Sequence, residues 1–399
     1  MWIQDFFLQL VVILFIARLF GEVAVRFNLP SVIGELIAGL IIGPSLFNLI
    51  HPTETIRLLA EIGIVLLLFE VGLETDIHRL MKTGSKPFIV ALGGVVLPFV
   101  FGFFLSYSVF KLSLIVSLFI GSTLTATSIG ITMRVLSELK KQATHEAQIV
   151  LGAAVIDDII GIILLSILFE FANGGGVSIL NVGKIILFVS AFLLIAPIAA
   201  KFIANFIQNY SKKSTIPGLL PATIVTLILF FAWLAHQVGA PPLIGGFAAG
   251  LALSKQFFLP LGPSFAVEQH FSEKVEKQMQ PIVHLFTPIF FVTIGLSLNL
   301  KTIPWDSPFI WGLSLSLLMA ALLGKVLSGF LLIKEKQMVR WAIGIAMIPR
   351  GEVGLIFAEI GKSSGAFNND LYAAMIIVIA VTTILAPFML RFFYSHRLD

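Results

Sequence analysis

The chain has 399 residues, of which 12% are charged and 58% hydrophobic, and its mean hydropathy is +1.01. A soluble chain carries about twice that share of charge and could not bury so much apolar surface. The composition therefore excludes a soluble enzyme, a nucleic-acid-binding protein and a disordered chain, and indicates a polytopic membrane protein. A pI near 9.2 fits basic residues gathered in cytoplasmic loops. Without cysteine there are no disulfides, thiolate metal sites or cysteine nucleophiles.

Apolar runs of membrane-spanning length, about 17–25 residues each, begin at 3–20, 31–50, 55–74, 86–110 and 112–136. They continue at 144–172, 178–208, 217–238, 241–254, 275–300, 308–333, 339–361 and 368–392. The spacing predicts an all-α polytopic membrane protein of about 13 transmembrane helices with no room for a soluble domain. The first run lacks a basic flank and a small-residue cleavage site, so it reads as a span rather than a signal peptide. With the N-terminus outside, 19 basic residues fall on inside segments and 5 outside, which leaves Lys325 and Arg350 within spans. This bias predicts an N-out/C-in orientation.

The chain repeats itself. PSVIGELIAGL at 30–40 matches PPLIGGFAAGL at 241–251, and FEVGLETD at 69–76 matches VTIGLSLN at 292–299, with offsets of 211 and 223. Spans 1–6 then pair with spans 8–13, and the seventh is a connector. Seven spans separate the copies, so they lie in opposite membrane orientations. Such an inverted repeat is a signature of secondary transporters, whose substrate site lies between the halves near the midplane. Chance likeness among glycine-rich helices is the plainer alternative, and its agreement with the charge-derived topology argues against it.

Charges inside spans are costly and mark function. Asp157 and Asp158 sit together in GAAVIDDIIG, half-way along the sixth span. Two adjacent carboxylates in hydrocarbon need water, a cation or a basic partner. Lys325, deep in the eleventh span, is the natural partner. On a helix, neighbours point about 100° apart, so one acid can meet that lysine while the other faces a cavity. The alternative is an acid buried merely in a salt bridge.

Two spans are predicted to be discontinuous and to cross. The fifth contains GSTLTATSIG at 121–130, rich in hydroxyls, and the twelfth contains GIAMIPRGEVG at 344–354. Pro349 removes a backbone donor and Gly351 weakens the helix. Non-helical backbone at membrane depth survives only where protein or a water cavity covers it, and half-helix ends then present dipoles to ions. An ordinary proline kink, with hydroxyls bonded back to their own helix, is the alternative. Arg350 and Glu352 are expected to form an internal salt bridge that holds the break. Glu70, near the inside end of the third span, reads as a funnel residue, with a merely interfacial residue as the alternative, and Glu35 and Glu61 read as dimer-side polar contacts. No nucleotide-binding glycine motif occurs, so nothing suggests coupling to a nucleotide.

GSTLTATSIGITMRVL, LGAAVIDDIIG, the lysine of ALLGKV and MIPRGEVGLI together resemble bacterial Na+/H+ antiporters of the NapA type, in the second cation:proton antiporter family of the monovalent cation:proton antiporter superfamily. The resemblance covers essentially the whole chain. It implies thirteen helices, a homodimer in the bacterial cytoplasmic membrane, and elevator-like alternating access. It implies a dimer domain from residues 1–80 and 215–302, a core transport domain from 85–173 and 308–394, and a linker helix at 178–210. By motif, Asp158 is implied as the carboxylate that binds Na+ and carries protons, Asp157 as the acid paired with Lys325, and Thr127 and Ser128 as further oxygen ligands. The paired Asp-Asp motif implies electrogenic exchange, although spore-germination exchangers carry it too.

The resemblance thus points to a secondary Na+(Li+)/H+ antiporter. Such a protein needs no cofactor beyond the transported ions and engages no nucleic acid. A K+/H+ antiporter and, from another class, a Na+-coupled organic-anion symporter on the same architecture stand beside it.

Overall fold

The computed structural model describes residues 3–75, 82–172, 179–213, 216–254 and 269–396. Among the described residues there are fifteen α-helices and no strand. They are α1 (Ile3–Arg26), α2 (Ser31–Ile42), α3 (Glu54–Glu74), α4 (Lys86–Phe104), α5 (Leu114–Thr123), α6 (Ile129–Glu138), α7 (His145–Ala172) and α8 (Ile179–Lys213). α9 (Leu219–Gln237), α10 (Pro242–Leu253), α11 (Gln269–Ser297), α12 (Pro308–Phe330), α13 (Gln337–Ala346), α14 (Gly351–Ser363) and α15 (Asn369–His396) follow. Seven of the described helices, α1, α4, α8, α9, α11, α12 and α15, are long and apolar enough to cross a membrane.

Helix ends follow local chemistry. α1 runs past residue 20 to Arg26, whose guanidinium pairs with Glu22 at 3.1 Å one turn back. Asn28, at φ +54°, turns the chain, and Pro30 leads into α2. α2 stops at Ile42, well short of residue 50, because Gly43 is extended and precedes Pro44. α4 ends in a π-helical turn over Leu105–Val109.

Two compact units divide the chain. The first comprises Met1–Thr53, Ser85–Val182 and Phe291–Asp399, and the second Glu54–Gly84 and Gly183–Phe290. In the first, α4 packs on α5, α7 and α12, α12 on α13 and α15, and α14 on α15. Its core gathers Phe119 and Ile120 from α5, Leu313 and Leu317 from α12, Phe357 from α14 and Ile376 from α15, all at most 1% exposed. In the second, α10 packs on α3 and α9. In lipid such packing is driven by dispersion and close backbone approach rather than by water.

The two copies of the repeat reuse the same close approaches. In the first unit, Gly39 presses on the carbonyl of Val292 and Gly295 on that of Leu36. In the second, Gly250 presses on the carbonyl of Phe69 and Gly72 on that of Phe247. Offsets of 211 and 223 carry one set onto the other. In all four positions a methyl group would collide with the facing carbonyl oxygen.

Candidate ion site

The helix breaks and the charged groups beside them lie within the first unit. α5 ends at Thr123 and α6 begins at Ile129; α13 ends at Ala346 and α14 begins at Gly351. The predicted discontinuities are therefore present. Helix ends leave unpaired backbone groups that need partners away from water, and here each break supplies the other's. Ser128 N–H donates to Pro349 O at 2.7 Å. Thr132 Oγ1 donates to Ala346 O at 2.6 Å and Thr127 Oγ1 to Met347 O at 3.5 Å. The Arg350 guanidinium donates through Nη1 to Leu124 O and, at 3.1 Å, to Ala126 O. At the start of α14, Gly351 N–H donates to Thr383 Oγ1 of α15 at 3.2 Å.

Two hydroxyls behave as in an ordinary kinked helix. Thr123 Oγ1 donates to Phe119 O at 2.8 Å and Thr125 Oγ1 to Ser122 O at 2.7 Å. Thr127 departs from that pattern and reaches across the crossing. Gly351 is required twice over: its φ is +49°, and a Cβ there would come to 2.6 Å from Ser128 Oγ.

The charged groups meet at this crossing. α7 runs unbroken beneath it and buries Asp157 to 3% and Asp158 to 6% exposure. Lys325, on α12, is 0% exposed, and its Nζ lies 3.5 Å from Asp157 Oδ2. Its shorter contact, 2.6 Å, is with Thr127 Oγ1. Gly94 of α4 packs beside the ammonium, where a Cβ would sit 3.5 Å from Nζ, an ordinary van der Waals contact. Asp157 Oδ1, the oxygen not turned to the lysine, has no hydrogen-bond partner. The cluster thus offers carboxylate and hydroxyl oxygens, the hard donors that alkali cations take, balanced by one buried ammonium.

A family description headed sodium/hydrogen exchanger, transmembrane, matches residues 11–395. The chain belongs to this family. It is 34% identical to the high-affinity Na+/H+ antiporter NhaS3 of Synechocystis, over 96% of this chain and 88% of that one. It is 33% identical to the Na+/H+-K+ antiporter GerN of Bacillus cereus, over 98% and 97%. Its fold matches that of the sodium proton antiporter MjNhaP1 of Methanocaldococcus jannaschii with a TM-score of 0.74 at 18% identity, over 99% of this chain and 97% of that one. It is accordingly a multi-pass membrane protein.

The remaining predicted residues of this sodium/hydrogen exchanger divide as follows. Arg350 is 0% exposed and anchored on the carbonyls of Leu124 and Ala126 in the break between α5 and α6, with Nε and Nη2 unpartnered. The side chain of Glu352 lies outside the described residues, so the expected salt bridge with Arg350 does too. Glu70 is half-buried on α3, in the second unit. Ser128 contributes its backbone N–H to the crossing and is fully buried. The anchoring of Arg350 on carbonyls escapes sequence reading, because backbone acceptors carry no residue signature. A run of hydroxyl and glycine residues opposite a buried arginine is the nearest available signal.

Proposed function

We propose that the chain is a secondary active Na+(Li+)/H+ antiporter in which Na+ and protons compete for the Asp157–Asp158 carboxylates. The observation that carries this reading is the Lys325–Asp157 contact at 3.5 Å, with Asp158 adjacent, beneath two mutually bonded helix breaks. The names of the relatives support it. One carboxylate site cannot hold both cargoes, so binding of one opposes the other. A site neutralised by either cargo can be moved, whereas a bare buried charge resists desolvation. Exchange follows without ATP, and the chain acts as a transporter rather than an enzyme.

The finer architecture belongs to the same reading. Grouping α5 with α6 and α13 with α14 turns the fifteen described helices into thirteen passes, N-out/C-in, related as an inverted repeat. Residues 85–173 and 308–394 act as the mobile core, 1–80 and 215–302 as the dimer domain of a homodimer, and 178–210 as the linker. Elevator motion carries Asp158, the Na+ and proton ligand, past the dimer domain, and Asp-Asp with Lys325 makes exchange electrogenic. Thr127 and Ser128 add oxygens when the ammonium shifts, and Glu70 guides ions at the inside mouth. The bacterial cytoplasmic membrane is its location.

A K+/H+ antiporter is the second reading, since one relative is named a Na+/H+-K+ antiporter. An organic-anion symporter finds less support, because Lys325 and Arg350, the cations buried at the crossing, lie against oxygen acceptors. The test is proteoliposome pH recording under imposed Na+, Li+ and K+ gradients. Proton movement driven by Na+ and Li+ supports the proposal, and movement driven by K+ alone replaces it with the second reading.

A further inference from the structure

A second cluster of charge lies away from this site, where the far end of α6 meets the start of α2. Ser31 opens α2, and its N–H donates to Glu138 Oε2 at 2.7 Å while its Oγ donates to Glu138 Oε1 at 2.5 Å. Glu138 so caps the α2 N-terminus from another helix, where a carboxylate suits the dipole. Arg134 Nε pairs with Glu138 Oε1 at 2.8 Å, and its Nη2 donates to Ser31 Oγ at 3.3 Å. One turn along α2, Glu35 is 2% exposed, with Oε2 lacking any hydrogen-bond partner. It lies against α1 at Gly21, where a Cβ would be 3.8 Å from Oε1.

The groups that face Glu35 are Arg134 and Glu138 from α6, Arg18 from α1, and Ser31 on its own helix. From α15, Arg391 reaches the α1–α2 turn and donates to Phe27 O at 3.4 Å. Ser31 has a single hydroxyl hydrogen, and it is committed to Glu138. A buried carboxylate with an unpartnered oxygen is costly when ionised and cheap when protonated.

We propose that Glu35 is a second proton-binding site, separate from Asp157 and Asp158, and that its proton holds α6 latched to α2. Protonated, Glu35 is neutral and leaves Ser31 and Arg134 to Glu138. When the proton passes to water, the Glu35 carboxylate competes for the Ser31 hydroxyl hydrogen and the Arg134 guanidinium. It also sets a second negative charge beside Glu138, and the latch loosens. α6 spans ten residues, about 15 Å, and its opposite end follows directly on Thr127 and Ser128. Release at Glu138 therefore frees the helix that carries the break. Acid latches the transporter, and alkaline pH frees it.

This inference rests on the antiport reading for its consequence, but its first test does not. Hydrogen–deuterium exchange of the wild-type protein is followed at residues 129–141 between acid and alkaline pH. Protection that is high in acid and lost in base, with the loss abolished in Glu35→Gln, supports the latch. Protection that does not change with pH, or changes equally in Glu35→Gln, overturns it. The second test is the pH profile of Na+-dependent exchange. Glu35→Gln, locked in the neutral form, should lose severalfold activity at alkaline pH and match wild type in acid. Glu138→Gln should shift activation by about a unit toward acid. Profiles parallel to wild type in both variants overturn the latch, whereas a wild type without Na+-dependent exchange at any pH contradicts the antiport reading alone.

Discussion

Lys325 is bound more closely to Thr127 than to its charge partner: Nζ lies 2.6 Å from Thr127 Oγ1 and 3.5 Å from Asp157 Oδ2. The hydroxyl at the helix break thus shares the lysine ammonium with the acid. An ion that recruits Thr127 must displace the ammonium, which links cation binding to the position of the buried positive charge.

Thr127→Val keeps the shape and removes that oxygen. Loss of a hydrogen bond to a buried charged group costs about 1.5–3 kcal/mol, so thermal unfolding in detergent should drop by several degrees. Thr127→Ser should restore most of it. Equal stability of the Val variant and wild type would show that the contact holds nothing.

Lys325→Ala and Asp157→Asn each strand a buried partner, at a cost of about 3–5 kcal/mol when the remaining group stays charged. The double variant should lose less than the sum of the two. Current and Na+ flux measured together should show less net charge per Na+ in Lys325→Ala. Additive losses would argue against the pairing, and an unchanged ratio would reduce the lysine to a structural counter-ion.

Gly351→Ala combines a left-handed backbone at φ +49° with a Cβ 2.6 Å from Ser128 Oγ. The left-handed conformation alone costs about 1–2 kcal/mol. Gly365→Ala is the control, since Gly365 has φ +76° with open space around it. Both variants should lose stability, and only Gly351→Ala should also lose transport by tenfold or more. Equal transport in the two would remove the crossing from the transport path.

Outside the spans, Glu335 ties together the starts of α4 and α7. Its Oε1 lies 2.7 Å from Lys86 Nζ and 3.2 Å from His145 Nε2. The hydrogen bond from Lys86, joined by that from His145, holds its carboxyl below the usual carboxylate range. A lowered folded value gives stability that is present above the unfolded value and lost as pH falls through the folded one. Glu335→Gln should therefore unfold earlier than wild type at neutral pH, and the gap should close in acid, below about pH 4. A gap independent of pH would contradict the assignment.

The Lys325–Asp157 contact is legible in the sequence because both charges stand in apolar runs where little but a partner could keep them. The breaks are legible from Pro349, Gly351 and the hydroxyl run. Pairings carried by backbone are not: Arg350 meets the carbonyls of Leu124 and Ala126, and any residue at those positions presents the same atoms. The α2 end at Ile42 is hidden in the sequence, because Leu46, Phe47 and Leu49 continue the apolar run past Gly43 and Pro44. The Ser31–Glu138 cap joins residues 107 apart, and neither residue is unusual where it stands. Only the fold makes them neighbours.

Competition between Na+ and protons at Asp158 is the central claim, and Asp158→Asn tests it most directly. The measurement is Na+-dependent proton movement in proteoliposomes, wild type against the variant, with folding checked by thermal unfolding. The account predicts a folded variant with no Na+- or Li+-driven proton movement at any pH, beside a wild type whose apparent Na+ affinity weakens as pH falls. Robust Na+-dependent exchange by Asp158→Asn, or a wild-type Na+ affinity independent of pH, would contradict it.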